Sequence, residues 1–129
     1  MLKGEEMKLD EIVLAESIVE RLKPIAEKVV GLRLSKLEIS LSKRNSKYPM
    51  SYLSPNEITI YSKHWDYKEL LSSPKELSWF ELGIAHELGH HVNYTINPNL
   101  IETYGSSKII KTIIEGFAEY FSLDLLPIK

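Results

Sequence analysis

The sequence predicts an α+β domain in which three main helices pack on a small, mainly antiparallel sheet of three strands. Three observations lead there. Apolar residues recur at helical spacing over 8–30, 77–93 and 109–121, short runs of period two lie between the first two of these, and polar or Pro-containing turns separate the runs. With 129 residues the chain has the size of one domain, 1–129, with 1–7 and 127–129 expected as flexible tails.

The first helix takes its stripe from Leu14, Ile18, Leu22, Ile25 and Val29, widened by Leu9, Ile12, Val13, Val19 and Ala26. Pro24 removes a backbone donor inside it, so a kink or break near Lys23 is expected, and Gly31 is placed to cap its end. From Lys36 the period changes: Leu37, Ile39 and Leu41 alternate with Glu38, Ser40 and Ser42, the pattern of a half-buried strand. A polar turn at Lys43–Lys47, a short strand around Met50–Leu53, a turn at Ser54-Pro55-Asn56 and a third alternating run, Glu57–Ser62, complete the sheet.

Ser73-Pro74-Lys75-Glu76 reads as a helix start, with Ser73 as N-cap, Pro74 at the first helical position and Glu76 closing a capping box. Leu77, Leu82, Ile84, Ala85, Leu88 and Val92 carry that helix to about Asn93. Residues 93–105 read as a loop. The last helix opens at Ser106 or Ser107 and carries Ile109, Ile110, Ile113, Ile114, Phe117, Ala118 and Phe121 before Pro127.

Composition closes several function classes. A net charge of −2 with 26% charged residues argues against nucleic acid as a partner, and no apolar run reaches the roughly 18 residues of a membrane span. The N-terminus has no apolar signal core, so a cytoplasmic protein is expected. Zero cysteines leave histidines and carboxylates as the only strong metal ligands. Lys and Glu total 28 residues, Asp and Arg only 6, and Gln is absent, a bias of the kind found in proteins of hyperthermophiles.

The middle helix carries His86-Glu87-Leu88-Gly89-His90, an HExxH pattern. One turn separates the two histidines, so both imidazoles can meet a single zinc, while Glu87, rotated about 100° away, can address a water there as general base. His91 has no such role and is expected as a partly exposed neighbour. Two histidines leave a catalytic zinc short of its usual three protein ligands. Asn93 and Ile96 stand where the metzincin extension needs glycine and histidine, which closes that branch.

The last helix offers Glu115-Gly116-Phe117-Ala118-Glu119, two carboxylates one turn apart on an apolar helix. Glu115 as third ligand of one zinc per chain, with Glu119 accepting a hydrogen bond from the back of a ligating histidine, would satisfy both. The alternative is a solvated acidic face marked by Lys108 and Lys111.

These two motifs resemble the gluzincin metallopeptidases, in which HExxH is completed by a Glu on a following helix, often within Glu-x-x-x-Asp. Here Glu119 stands in place of that Asp. The small size looks most like the single-domain minigluzincins of archaea, which implies a zincin-like fold, contact of Glu119 with His86, and zinc-dependent hydrolysis of a peptide or unfolded protein. Glu115, Ala118, Phe121 and Leu125-Leu126 are also similar to the ImmA/IrrE-type peptidases that cleave repressors. Thermolysin-like relatives stabilise the oxyanion with a further His or Tyr. His64, Tyr94, Tyr104 and Tyr120 are the candidates here, with an extended substrate expected along the sheet edge at Glu57–Ser62.

The aromatic residues Trp65, Tyr67, Trp79 and Phe80 read as core and rim packing rather than as a substrate pocket. The apolar tail ending at Lys129 is a candidate for latency, Lys129 pairing with Glu87 in its own cleft or in that of a homodimer partner by exchange, and the resemblance to minigluzincins adds to this. Two non-enzyme readings stay open, a zinc-stabilised structural module and a peptide-binding pseudoenzyme.

Overall fold

The computed structural model describes residues 3–98 and 108–125. Helix α1 (Lys3–Val30) leads into strand β1 (Glu38–Ser42), β2 (Met50–Leu53) and β3 (Glu57–Tyr61). A single 3-10 turn, Ser62–His64, follows, and then helices α2 (Tyr67–Ser72), α3 (Pro74–Ile96) and α4 (Lys108–Leu125). The class is α+β, mostly helical, and no helix among the described residues is long and apolar enough to cross a membrane.

The sheet is mixed rather than mainly antiparallel. Its order is β1-β3-β2, with β1 parallel to β3 (Ile39 beside Ile58, Leu41 beside Ile60) and β2 antiparallel to it (Met50 beside Ile60, Tyr52 beside Ile58). The polar run at 43–49 is therefore no hairpin turn. It carries the chain past the position of β3 to the opposite edge, a step of two strand spacings, roughly 10 Å, that seven residues span easily. Central β3 has both edges paired, so the stretch 57–62 has no edge to offer a substrate; among the described residues the free edges belong to β1 and β2.

Alternation decides the faces. Ile58 and Ile60 point inward and are fully buried with Met50, while Ser40, Glu57 and Thr59 form a polar ladder outside, Ser40 Oγ donating to Glu57 Oε2 at 2.8 Å. α3 lies at the centre of the core, packed on α4, α1, α2 and β2, and contributes Phe80, Ile84, Ala85, Leu88 and Val92.

α1 starts at Lys3, so most of the expected N-terminal tail is helical, and Pro24 does not break it. Pro24 and Glu20, whose carbonyl loses its donor, both face solvent, where water can replace the missing bond. The buried stripe is also rotated from the expected one: Glu11, Ala15, Ile18, Val19, Leu22 and Ala26 are buried, while Val13, Ile25 and Val29 are exposed. Gly31 caps the helix as anticipated, at φ +70° with its N–H donating to Glu27 O at 2.8 Å.

The short α2 has no counterpart in the sequence reading. Asp66 caps it by accepting from Lys68 N at 2.9 Å, and Leu70 anchors it in the core. α3 begins as expected at Pro74, Ser73 Oγ accepting from Glu76 N at 3.4 Å, but it runs one turn past Asn93. The start of the last helix at Ser106 or Ser107 lies outside the described residues.

Candidate metal centre

His86 and His90 are one turn apart on α3, and Glu115 and Glu119 are one turn apart on α4, facing them. Two close approaches hold these elements in place. A Cβ added to Gly89 would meet Ala118 Cα at 3.0 Å, which brings α4 against the HExxH turn. One added to Gly83 would meet the Met50 thioether at 3.0 Å, which seats β2 against α3 one turn before His86.

Glu115 bridges the two imidazoles, with Oε1 3.5 Å from His86 Nε2 and Oε2 3.0 Å from His90 Nε2. One donor atom from each of His86, His90 and Glu115 lies within 4.8 Å of the others, and this trio can hold a metal ion. Zinc bonds of 2.0–2.1 Å at tetrahedral angles would separate ligand atoms by about 3.3–3.4 Å, within the range of the two contacts. Burial holds the His90 pKa below its usual value despite the opposing pull of Glu115, which favours the neutral, ligating imidazole.

Nδ1 of His86 is buried and lies 2.8 Å from Oε1 of Glu119, at ion-pair distance but off the axis of a hydrogen bond. Such a nitrogen has a natural state when Nε2 faces a cation and Nδ1–H turns onto the carboxylate behind it. Both glutamates remain largely solvent-exposed at their outer side, so the acidic face is wet as well as paired.

Glu87 is not part of the trio. It lies 7% exposed in the wall of the same cleft, and its carboxyl is pushed up to about 8, chiefly by burial and secondarily by the Glu115 charge. The cleft has a volume of about 1080 Å³ and runs from these groups along β2 and the N-terminal half of α3.

No protein-family model, curated protein or solved structure matches the chain. The site therefore stands on its own geometry. His86, His90, Glu115, Glu87 and Glu119 are brought together. His64 is not: it is exposed and bonded to the Ser46 carbonyl, away from the cleft, and Tyr94 does not line the cleft either. Tyr104, Lys129 and the side chain of Tyr120 lie outside what is described.

Four residues depart from expectation. His91 is fully buried rather than partly exposed, its Nδ1 2.8 Å from Tyr52 Oη and its Nε2 3.0 Å from Ser35 O, so it ties α3 to the sheet. Trp65 and Trp79 line the cleft, whereas Phe80, edge-on to Trp65 at 5.0 Å, is core. Tyr52 is a cleft residue the sequence did not mark, but its hydroxyl is already committed to His91 and to Pro55 O at 2.6 Å.

Proposed function

We propose that the chain is a zinc-dependent endopeptidase of the gluzincin type, with a zincin-like arrangement of HExxH on α3 and the third ligand on α4. The observation that carries this reading is Glu87, a buried carboxyl in the cleft wall beside a three-donor cluster that does not need it. A structural metal site closes its coordination with protein ligands and has no use for such a group.

His86, His90 and Glu115 would hold the metal, and Glu119 would orient His86 through Nδ1. Bound zinc supplies Lewis acidity, lowering the pKa of a coordinated water and polarising a carbonyl. Glu87 takes the proton of the attacking water and later gives it to the leaving amine, a role suited to a carboxyl whose proton affinity burial has raised. The free edge of β2, with Met50, Ser51 and Tyr52 in the cleft wall, is where an extended substrate backbone can pair, in place of the occupied β3.

The test compares zinc-loaded wild type with Glu87→Gln on a peptide library read by mass spectrometry. Cleavage by the wild type alone, with equal zinc in both proteins, is the expected result. No cleavage by the wild type, or equal cleavage by both, overturns the reading.

A further inference from the structure

We infer that the end of the cleft remote from the metal centre is a subsite for the long cationic side chain of a bound peptide, lysine or arginine. This deepens the peptidase reading and rests on it for the ligand being a peptide.

At 100° per residue, positions 76, 79, 83, 86, 87 and 90 of α3 fall on one face, and all six line the cleft. Glu76 and Trp79 form its far end. Glu76 is half-buried, and its carboxylate lacks a hydrogen bond or ion pair among the described residues. Its expected task, the return bond of the capping box, is already filled, because the Ser73 N–H donates to Glu69 O at 2.8 Å.

Two indoles, Trp65 and Trp79, share the cleft lining with Glu76. Trp65 is fixed by its edge-on contact with Phe80 and by Nε1 donating to Pro49 O at 3.3 Å, while Trp79 is 56% exposed. Among the described residues no Lys or Arg lines the cleft, and the other acidic residues there are Glu87, Glu115 and Glu119. A half-buried acidic residue that shares the cleft lining with two indoles, and has no counter-charge among the described residues, offers a ligand cation a favourable partner. A lysine or arginine side chain matches both features, its methylene stem lying on the indoles and its charge meeting Glu76. Lys47 Nζ stands 5.4 Å from the Tyr48 ring centroid, so Tyr48, at the rim, already has its own cation and is not counted in the subsite.

Glu76 precedes His86 by ten residues, roughly 15 Å along the helix, which an extended peptide spans in roughly four or five residues. The cationic side chain thus belongs a few positions from the bond cleaved, not beside it.

The experiment uses zinc-loaded Glu87→Gln protein and fluorescein-labelled octapeptides in which one lysine, or norleucine of the same length, is moved through an alanine-rich frame. Anisotropy reads the affinity. At one register lysine binds about 10-fold tighter than norleucine, and the preference vanishes when Glu76→Gln is added, a change that leaves the helix cap in place. Equal affinities at every register, or a lysine preference that survives Glu76→Gln, overturn the subsite while leaving the peptidase reading intact. Lysine-selective binding with no cleavage by wild type removes the peptidase reading and keeps the subsite. Absence of any peptide binding overturns both.

Discussion

A Cβ on Gly89 would come within 3.0 Å of Ala118 Cα and 3.3 Å of its carbonyl oxygen, so these two residues set how closely α3 and α4 approach. Gly89 lies between His86 and His90, and Ala118 between Glu115 and Glu119. Separation of the helices here is therefore separation of the candidate metal ligands. Gly89→Ala improves intrinsic helix propensity by about 1 kcal/mol and adds an overpacking cost of about 1–3 kcal/mol. The metal-free protein should lose at most about 2 kcal/mol of stability, while zinc affinity falls at least about 10-fold as the candidate ligand atoms move apart. Competition with a chelating dye measures this, and wild-type affinity in the variant would show that the spacing is set elsewhere.

Glu115 and Glu119 should differ in weight. Glu115→Ala removes a donor that reaches both imidazoles, whereas Glu119→Ala removes only the partner of His86 Nδ1. We expect Glu119→Ala to weaken zinc about 10–100-fold and Glu115→Ala to abolish stoichiometric binding. Titration with zinc orders the two variants; a reversed order would exchange their roles.

His91 should act on stability without touching the metal. Burial, the largest influence on it, holds its pKa below the usual histidine value, so its contribution is complete above the unfolded value near 6.5 and is lost as pH falls below it. His91→Leu leaves the Ser35 carbonyl without this partner and should cost about 1–3 kcal/mol at pH 7.5. It should also flatten the acid limb of the stability curve, with one zinc still bound per chain. Denaturant unfolding at pH 5 to 7.5 is the check, and an unchanged acid limb would assign that limb to other groups.

Most of the candidate metal centre was legible because helix geometry fixes it: i, i+4 spacing places His86 with His90 and Glu115 with Glu119 whatever else the chain does. The cap at Ser73 and the stop at Gly31 are equally local. Strand order was not legible, since period-two alternation in 37–42 and 57–62 is the same for parallel and antiparallel neighbours, and only the path of 43–49 distinguishes them. α1 is apolar on much of its circumference, so its partners rather than its pattern chose Ala15 and Ala26 over Ile25 and Val29. The burial of His91 and the exposure of Trp79 likewise depend on contacts between elements that no spacing encodes.

Glu11 offers a pH signature far from the metal. It is buried with one carboxylate oxygen unpartnered among the described residues, and burial followed by the charge of Asp66 raises its pKa above 4.5. Ionisation therefore opposes folding as pH rises from that value. Glu11→Gln should be more stable than wild type at pH 7, with the difference closing below about pH 4. Equal stabilities at pH 7 would mean the carboxylate is solvated in solution.

Glu87 should show the same sign more strongly, and most clearly without metal. In the metal-free chain its carboxyl titrates at about 8 against 4.5 when unperturbed. Between those values the folded state holds a proton that the unfolded state has released, so stability falls with rising pH by up to about 1.4 kcal/mol per unit. Glu87→Gln removes this slope, and the metal-free variant should outlast wild type in thermal melts by a margin that widens from pH 5 to pH 8. Zinc should narrow the margin, because a cation in contact with Glu115 opposes the negative field on Glu87 and favours its ionised form, while the burial that dominates the shift remains. A residue kept for packing would instead lose stability on this substitution at every pH. Parallel melting curves for the two metal-free proteins would show that the Glu87 carboxyl is not perturbed, and would take away the physical basis for its work as a base.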